Sequence, residues 1–323
     1  MRQKLLSVLL ALCLLAGCSG ATAQSQAEQA ELTILATTYP VYLMTCAVVD
    51  GVDGIQVERL NTGQVSCLHD YTLSITDMKK IERADVIAMN GVELEEFMHD
   101  ALSTSDAVVI DCSEGVELLE NLSHHHEEEG HGHEGHDHDH GHFDPHYWMH
   151  PMYADYMVSR LRGEMCTLDP KHEQRYNENA ENACNLLGRL DVELTNMFAQ
   201  LKRRGIEIPG LITFHDGFQY FAWAYDLPLL RAIEEEAGSE ASAREIVEIT
   251  RLVQEHDIPV IFTEVSGSDA TAKAISRETG CRVAQLSMCM DGPDGSLSSY
   301  LDAMRGNAAA VVNGFAGEEI VTK

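Results

Sequence analysis

Apolar and polar positions along the chain alternate between two periods. Short, nearly continuous apolar runs at Leu32–Ala36, Asp85–Met89, Ala107–Ile110, Leu211–Phe214, Val260–Thr263 and Arg282–Leu286 have the length and residue types of buried strands. Between them lie stretches with helical periodicity, from Thr38-Tyr39-Pro40 to Val49 and over 74–84, 94–101, 216–225, 242–256 and 269–279. Ser74-Ile75-Thr76-Asp77 places an acid three residues after a serine, the pattern of a capping box at a helix start. Strands alternating with helices predict parallel sheets in α/β layers. A different object divides the two halves. Tyr176, Ala180, Ala183, Leu187, Leu190, Leu194, Met197 and Leu201 recur at alternating spacings of four and three, one apolar stripe of a long helix. Asp169-Pro170 opens that helix and Gly205 lies just beyond it. At ~1.5 Å per residue it makes a rod of about 45 Å. A coiled-coil dimer seam would show the same stripe, but lobes on either side favour a rod packed within one molecule.

The N-terminus has a pattern of its own. Arg2 and Lys4 precede an apolar run, Leu5–Leu15, whose 11 residues suit a signal leader and fall short of the ~20 that a membrane span needs. Leu15-Ala16-Gly17-Cys18 resembles a bacterial lipobox, which implies cleavage before Cys18 and lipidation there. Residues 19–31 lack apolar periodicity and read as a tether. Composition sharpens this picture. The 323 residues hold 52 Asp and Glu against 22 Lys and Arg, a formal charge of −30 that becomes −32 once Arg2 and Lys4 leave with the leader. That sign disfavours nucleic acid as a partner and favours attraction of cations. Seven cysteines besides Cys18 follow the leader, without a CxxC pair, and read chiefly as scattered small apolar residues.

Histidine is the unusual count, 16 in all, nine of them within 124–142. That segment contains only His124, His125, His126, His131, His133, His136, His138, His140 and His142 with six acids and four glycines. With no apolar side chain it cannot offset its ordering entropy by burial, so a mobile loop is expected. Imidazoles among carboxylates suit weak, exchangeable capture of Zn, Cu or Ni. Three other histidines stand apart. His69 precedes the capped helix, His146 lies in Phe143-Asp144-Pro145-His146-Tyr147-Trp148, and His215 ends the strand Leu211–Phe214. Asp291 follows the strand Arg282–Leu286. These positions are loops beyond the carboxyl ends of strands, where open α/β sheets bind ligands.

Together these segments resemble the zinc/manganese-type, ZnuA-like solute-binding proteins of bacterial ABC importers. The resemblance covers about 31–318. Its residues are the lipobox, Thr38-Tyr39-Pro40, His69, residues 84–95, Asp144–Trp148, the Asp169-Pro170 rod, Thr213–Phe221, Ile261–Glu264 and Ser299-Tyr300. It implies two α/β lobes of parallel sheets flanked by helices, joined by one long rigid helix, with a metal in the interlobe cleft and limited lobe motion. The corresponding division is 1–17 leader, 18–30 tether, 31–168 N-terminal lobe including the 124–142 loop, 169–204 linking helix and 205–323 C-terminal lobe. The ligands it implies are His69, His146 and His215, with Asp291 as the fourth; Glu264, water, Cys67 and His150 are the alternatives near them. Three imidazoles and one carboxylate suit Zn²⁺, whereas the harder Mn²⁺ favours oxygen. Affinity is then expected to fall as acid protonates the imidazoles near pH ~6.5. The implied function is a lipid-anchored, extracytoplasmic, monomeric receptor that delivers Zn²⁺ to an ABC permease. A manganese receptor, a zinc-binding adhesin or buffer without transport, and a zinc hydrolase are the rivals. The hydrolase is disfavoured because no HExxH is present and no general base stands beside the histidine motifs.

Overall fold

The computed structural model describes residues 31–60, 71–122, 141–232, 242–265, 268–293 and 295–322. Within them, two four-stranded sheets form, both wholly parallel. The first contains β1 (Leu32–Ala36), β2 (Ile55–Arg59), β3 (Val86–Met89) and β4 (Val108–Asp111) in the order 2-1-3-4. The second contains β5 (Leu211–Thr213), β6 (Leu229–Ala232), β7 (Val260–Glu264) and β8 (Arg282–Leu286) in the order 6-5-7-8. The two lobes therefore share one topology, and in each the strand order reverses at the central pair, β1/β3 or β5/β7.

Local chemistry starts the helices where the pattern predicts. Thr38 caps α1 (Tyr39–Val49), with Pro40 in its first turn. Ser74 and Asp77 form the reciprocal capping box of α2 (Ile75–Arg83). The expected helix over 94–101 is instead a 3₁₀ turn, Glu96–Met98, followed by the short α3 (His99–Ser103). The cause lies just upstream. Gly91, Val92 and Glu93 all adopt positive φ, because the buried Glu95 carboxylate accepts from the backbone N–H groups of Asn90 and Gly91 and bends the chain around itself. Two long helices follow, α4 (Pro151–Leu168) and α5 (Glu173–Arg203), separated by the turn Pro170–His172. The stripe read from the sequence is the buried face of α5, from Tyr176 to Leu201. It packs on α4, on α1 and on α9 (Leu297–Ala316), so the rod touches helices of both lobes. The second lobe is completed by α6 (Gln219–Ala224), α7 (Ala243–Glu255) and α8 (Ala270–Thr279).

One apolar core runs through both lobes and the rod, including Trp148, Tyr176, Tyr220, Phe221, Phe262 and Tyr300. Smaller clusters lie on the outer faces of the sheets. Buried hydrogen bonds stitch the lobes directly. Trp148 Nε1 donates to Met288 O at 2.9 Å, and the Tyr300 hydroxyl donates to Trp148 O at 2.6 Å. The described cysteines, Cys46, Cys112, Cys166, Cys184, Cys281 and Cys289, are all free thiols. Burial pushes the Cys46 thiol up to about 11 and Cys289 up to about 12, so neither is a thiolate near neutral pH. No helix among the described residues is long and apolar enough to cross a membrane.

Candidate metal centre

His215 owes its position to the second sheet's switch point. The β5/β7 ladder extends one residue past β5, with Phe214 N donating to Phe262 O at 2.9 Å, and His215 then leaves the sheet at its carboxyl end. Thr213 Oγ1 donates to His215 O at 3.1 Å and tightens that turn. The neighbouring strand β7 ends at Glu264, whose Oε2 lies 3.7 Å from His215 Nδ1. Both side chains are largely shielded from solvent, 14% and 8% exposed.

His146 reaches the same place from the first lobe. The loop after β3 holds it from one side: the Asn90 amide donates to Pro145 O at 3.0 Å, and the Tyr147 hydroxyl donates to Asn90 O at 2.7 Å. The second lobe holds it from the other. The Tyr220 hydroxyl donates to Asp144 O at 3.1 Å, and the Trp148 and Tyr300 bonds fix the far end of the segment. Asp144 Oδ1 accepts from the His146 backbone N–H at 2.9 Å and lies 2.7 Å from His146 Nδ1. The result is a pair of imidazoles, one from each lobe, with ring centroids 5.6 Å apart and planes at 84°. Two histidines sharing one tetrahedral ion at ~2.0–2.1 Å per nitrogen would have centroids about 5.2 Å apart. The observed spacing therefore suits a small, borderline cation held between them.

The remaining expected residues fall elsewhere. Asp291 is 61% exposed, with Oδ1 3.3 Å from Arg59 Nη2. Arg59 also donates to Gly292 O at 3.0 Å and stacks over the rings of Tyr39 and Tyr42 at 4.8 and 5.7 Å. Gly217 leaves room between Met288 and His215: a Cβ there would lie 2.9 Å from Met288 Sδ and 3.0 Å from His215 Cδ2. His150 caps α4, its Nδ1 accepting from Met152 N, and its ring packs on Tyr153 and Trp223. Burial lowers its pKa, which keeps it neutral in that capping role. His69 and Cys67 lie outside the described residues, as do Cys18 and loop histidines His124 to His140. His142, at the loop's base, has its Nε2 3.8 Å from Glu120 Oε1, beside the bridge Glu120–Phe143. Among the described residues no three His, Cys, Asp or Glu side chains gather closely enough to hold a metal, so the imidazole pair needs a further ligand to close a coordination sphere.

The one local trace of the Asp144–His146 bond is a carboxylate two residues before a histidine. The Tyr220, Trp148 and Tyr300 ties join distant positions and have no local pattern.

Comparison with known proteins places the fold in a family. Residues 34–314 match the family model for ZnuA, described as zinc-uptake complex component A, periplasmic. Zinc-binding lipoprotein AdcA of Streptococcus pneumoniae is 31% identical over 287 residues, covering 88% of this chain and 55% of AdcA. Its Zn(II)-bound structure superposes with a TM-score of 0.71 at 25% identity, over 90% of this chain and 59% of that one. The high-affinity zinc uptake system protein ZnuA of Bacillus subtilis is 27% identical, covering 92% of both chains. The laminin-binding protein Lmb of Streptococcus agalactiae, described as bifunctional with adhesin and metal transporting activity, gives a TM-score of 0.71 at 25% identity, over 88% of this chain and 99% of that one. The chain spans about half the length of the AdcA proteins that it matches.

Proposed function

We propose that this chain, which belongs to the ZnuA family by its match over residues 34–314, is an extracytoplasmic zinc receptor that binds one Zn²⁺ between its lobes and delivers it to an ABC permease. The observation that carries the reading is the crossing of His146 and His215 at 5.6 Å, one from each lobe, at the sheet's switch point. His69 would add the third imidazole from 61–70. Asp291 could complete the sphere only by leaving Arg59; otherwise the fourth position falls to water or Glu264. Neutral imidazoles in a largely shielded cleft favour zinc over the harder manganese. The names of AdcA and the Bacillus subtilis relative point to the same metal. Cys18 would anchor the chain to the membrane by lipid, and the 124–142 histidines would raise the local concentration of metal. The match to a zinc-uptake family supports a receptor and not a hydrolase.

Competition titrations against a zinc chelator test the reading. One tight site is expected in the wild type, persisting when 124–142 is deleted and lost in His69→Ala, His146→Ala and His215→Ala. A tight site that depends on the loop and survives the three substitutions would contradict it. The likeness to Lmb raises adhesion as a second activity. Growth under zinc limitation, compared with laminin binding in a deletion strain, separates the two: transport predicts a growth defect that zinc relieves.

A further inference from the structure

We propose that Asp144 is the positioning residue of the cleft, holding the His146 proton on Nδ1 so that Nε2 presents its lone pair to the ion. The inference rests on the cleft reading above and deepens it. A carboxylate oxygen 2.7 Å from an imidazole nitrogen is an acceptor facing a ring N–H, so the contact between Asp144 Oδ1 and His146 Nδ1 fits the Nδ1–H tautomer. The same oxygen accepts the His146 backbone N–H at 2.9 Å, which fixes the ring's origin as well as its rotation. Asp144 is itself immobilised. Its side chain is 4% exposed, its backbone N–H donates to Leu119 O at 2.9 Å, and its carbonyl accepts from the Tyr220 hydroxyl. Among the described residues its second oxygen, Oδ2, is buried without a hydrogen-bond partner, and both bonds to His146 run through Oδ1.

Glu264 Oε2 lies 3.7 Å from His215 Nδ1, beyond hydrogen-bond distance, so the tautomer inferred is that of His146 alone. With Nδ1 turned to Asp144, His146 has its Nε2 left for the ion. Outer-shell partners of this kind fix the tautomer and raise the basicity of a ligating histidine, and their loss typically weakens metal binding 10–100-fold.

Long-range ¹H–¹⁵N spectra of the metal-free protein read the tautomers directly, and zinc titrations of the same samples read their consequence. In the wild type, His146 is expected as the Nδ1–H form with Nε2 unprotonated. In Asp144→Ala, His146 is expected to populate both tautomers and the zinc Kd to rise about 10–100-fold. Asp144→Asn keeps an acceptor of the same shape without the charge; it serves if the alanine variant fails to fold, and its Kd is expected to rise at least threefold. An Nε2–H form of His146 in the wild type would overturn the proposal, as would an unchanged Kd in Asp144→Asn. Weaker zinc binding in Asp144→Ala with the His146 tautomer unaltered would overturn it too. Tight zinc binding that survives both His146→Ala and His215→Ala would instead refute the cleft reading, whatever the tautomers are.

Discussion

Glu95 offers the sharpest stability experiment. It is fully enclosed in the first lobe, and its carboxylate accepts from Thr37 Oγ1 at 2.6 Å, Asn90 N at 2.7 Å and Gly91 N at 3.0 Å. Burial outweighs these three donors and pushes the group up to about 7 from an ordinary 4.5. A carboxyl whose folded pKa is raised stabilises the fold while protonated. That contribution is complete below about pH 4.5 and is lost as pH rises through about 7. A displacement of about 2.5 pH units, at about 1.36 kcal/mol each, makes the loss about 3 kcal/mol. Glu95→Gln removes the titration. Its amide N–H₂ meets the Gly91 or Asn90 donor and costs about 1–3 kcal/mol, but that offset is the same at every pH. Urea unfolding of both proteins between about pH 5 and pH 8 should therefore show the wild type losing about 2–3 kcal/mol relative to the variant. Parallel profiles, or a wild type that gains on the variant as pH rises, would refute the reasoning.

Other expectations follow from packing. Leu190→Ala on the buried face of α5 should cost about 2–5 kcal/mol in chemical unfolding, because the site lies where α5 meets its neighbours and cannot collapse freely. Tyr300→Phe deletes a buried donor to Trp148 O, and should cost about 1–3 kcal/mol while also weakening zinc binding through the His146 segment. Gly292→Ala would set a Cβ 2.1 Å from the Tyr39 hydroxyl; it should destabilise by about 1–3 kcal/mol, measured by thermal unfolding. Asp291→Asn breaks only a well-exposed ion pair with Arg59, so its effect on stability should stay below about 0.5 kcal/mol.

Much of the scaffold was legible because it is written locally. The apolar runs that form β1, β3, β5, β7 and β8 and the stripe along α5 are short-range patterns, and the sheets use them as read. Helix α4 was not read, since its cap is His150, an uncommon capping side chain, and Pro151 looks like a break until seen in the first turn. Strand β6, only Leu229–Ala232, carries too little periodicity to announce itself. In the cleft, His146 and His215 stood out by motif, whereas the pairing of Asp291 with Arg59 joins positions 232 residues apart and leaves no local trace. The enclosure of Glu95 is hidden for a similar reason: its three donors come from a bent loop and the end of β1, which only the fold assembles.

The central claim is that the histidines of the two lobes share one zinc ion. A crystal structure of the zinc-loaded protein, with anomalous data at the zinc edge, tests it most directly. The account predicts one strong peak between His146 Nε2 and His215 Nε2, each about 2.0–2.1 Å away, with Asp144 still bonded to His146 Nδ1. A zinc peak bound by other side chains, with the His146 and His215 rings unoccupied, would contradict it.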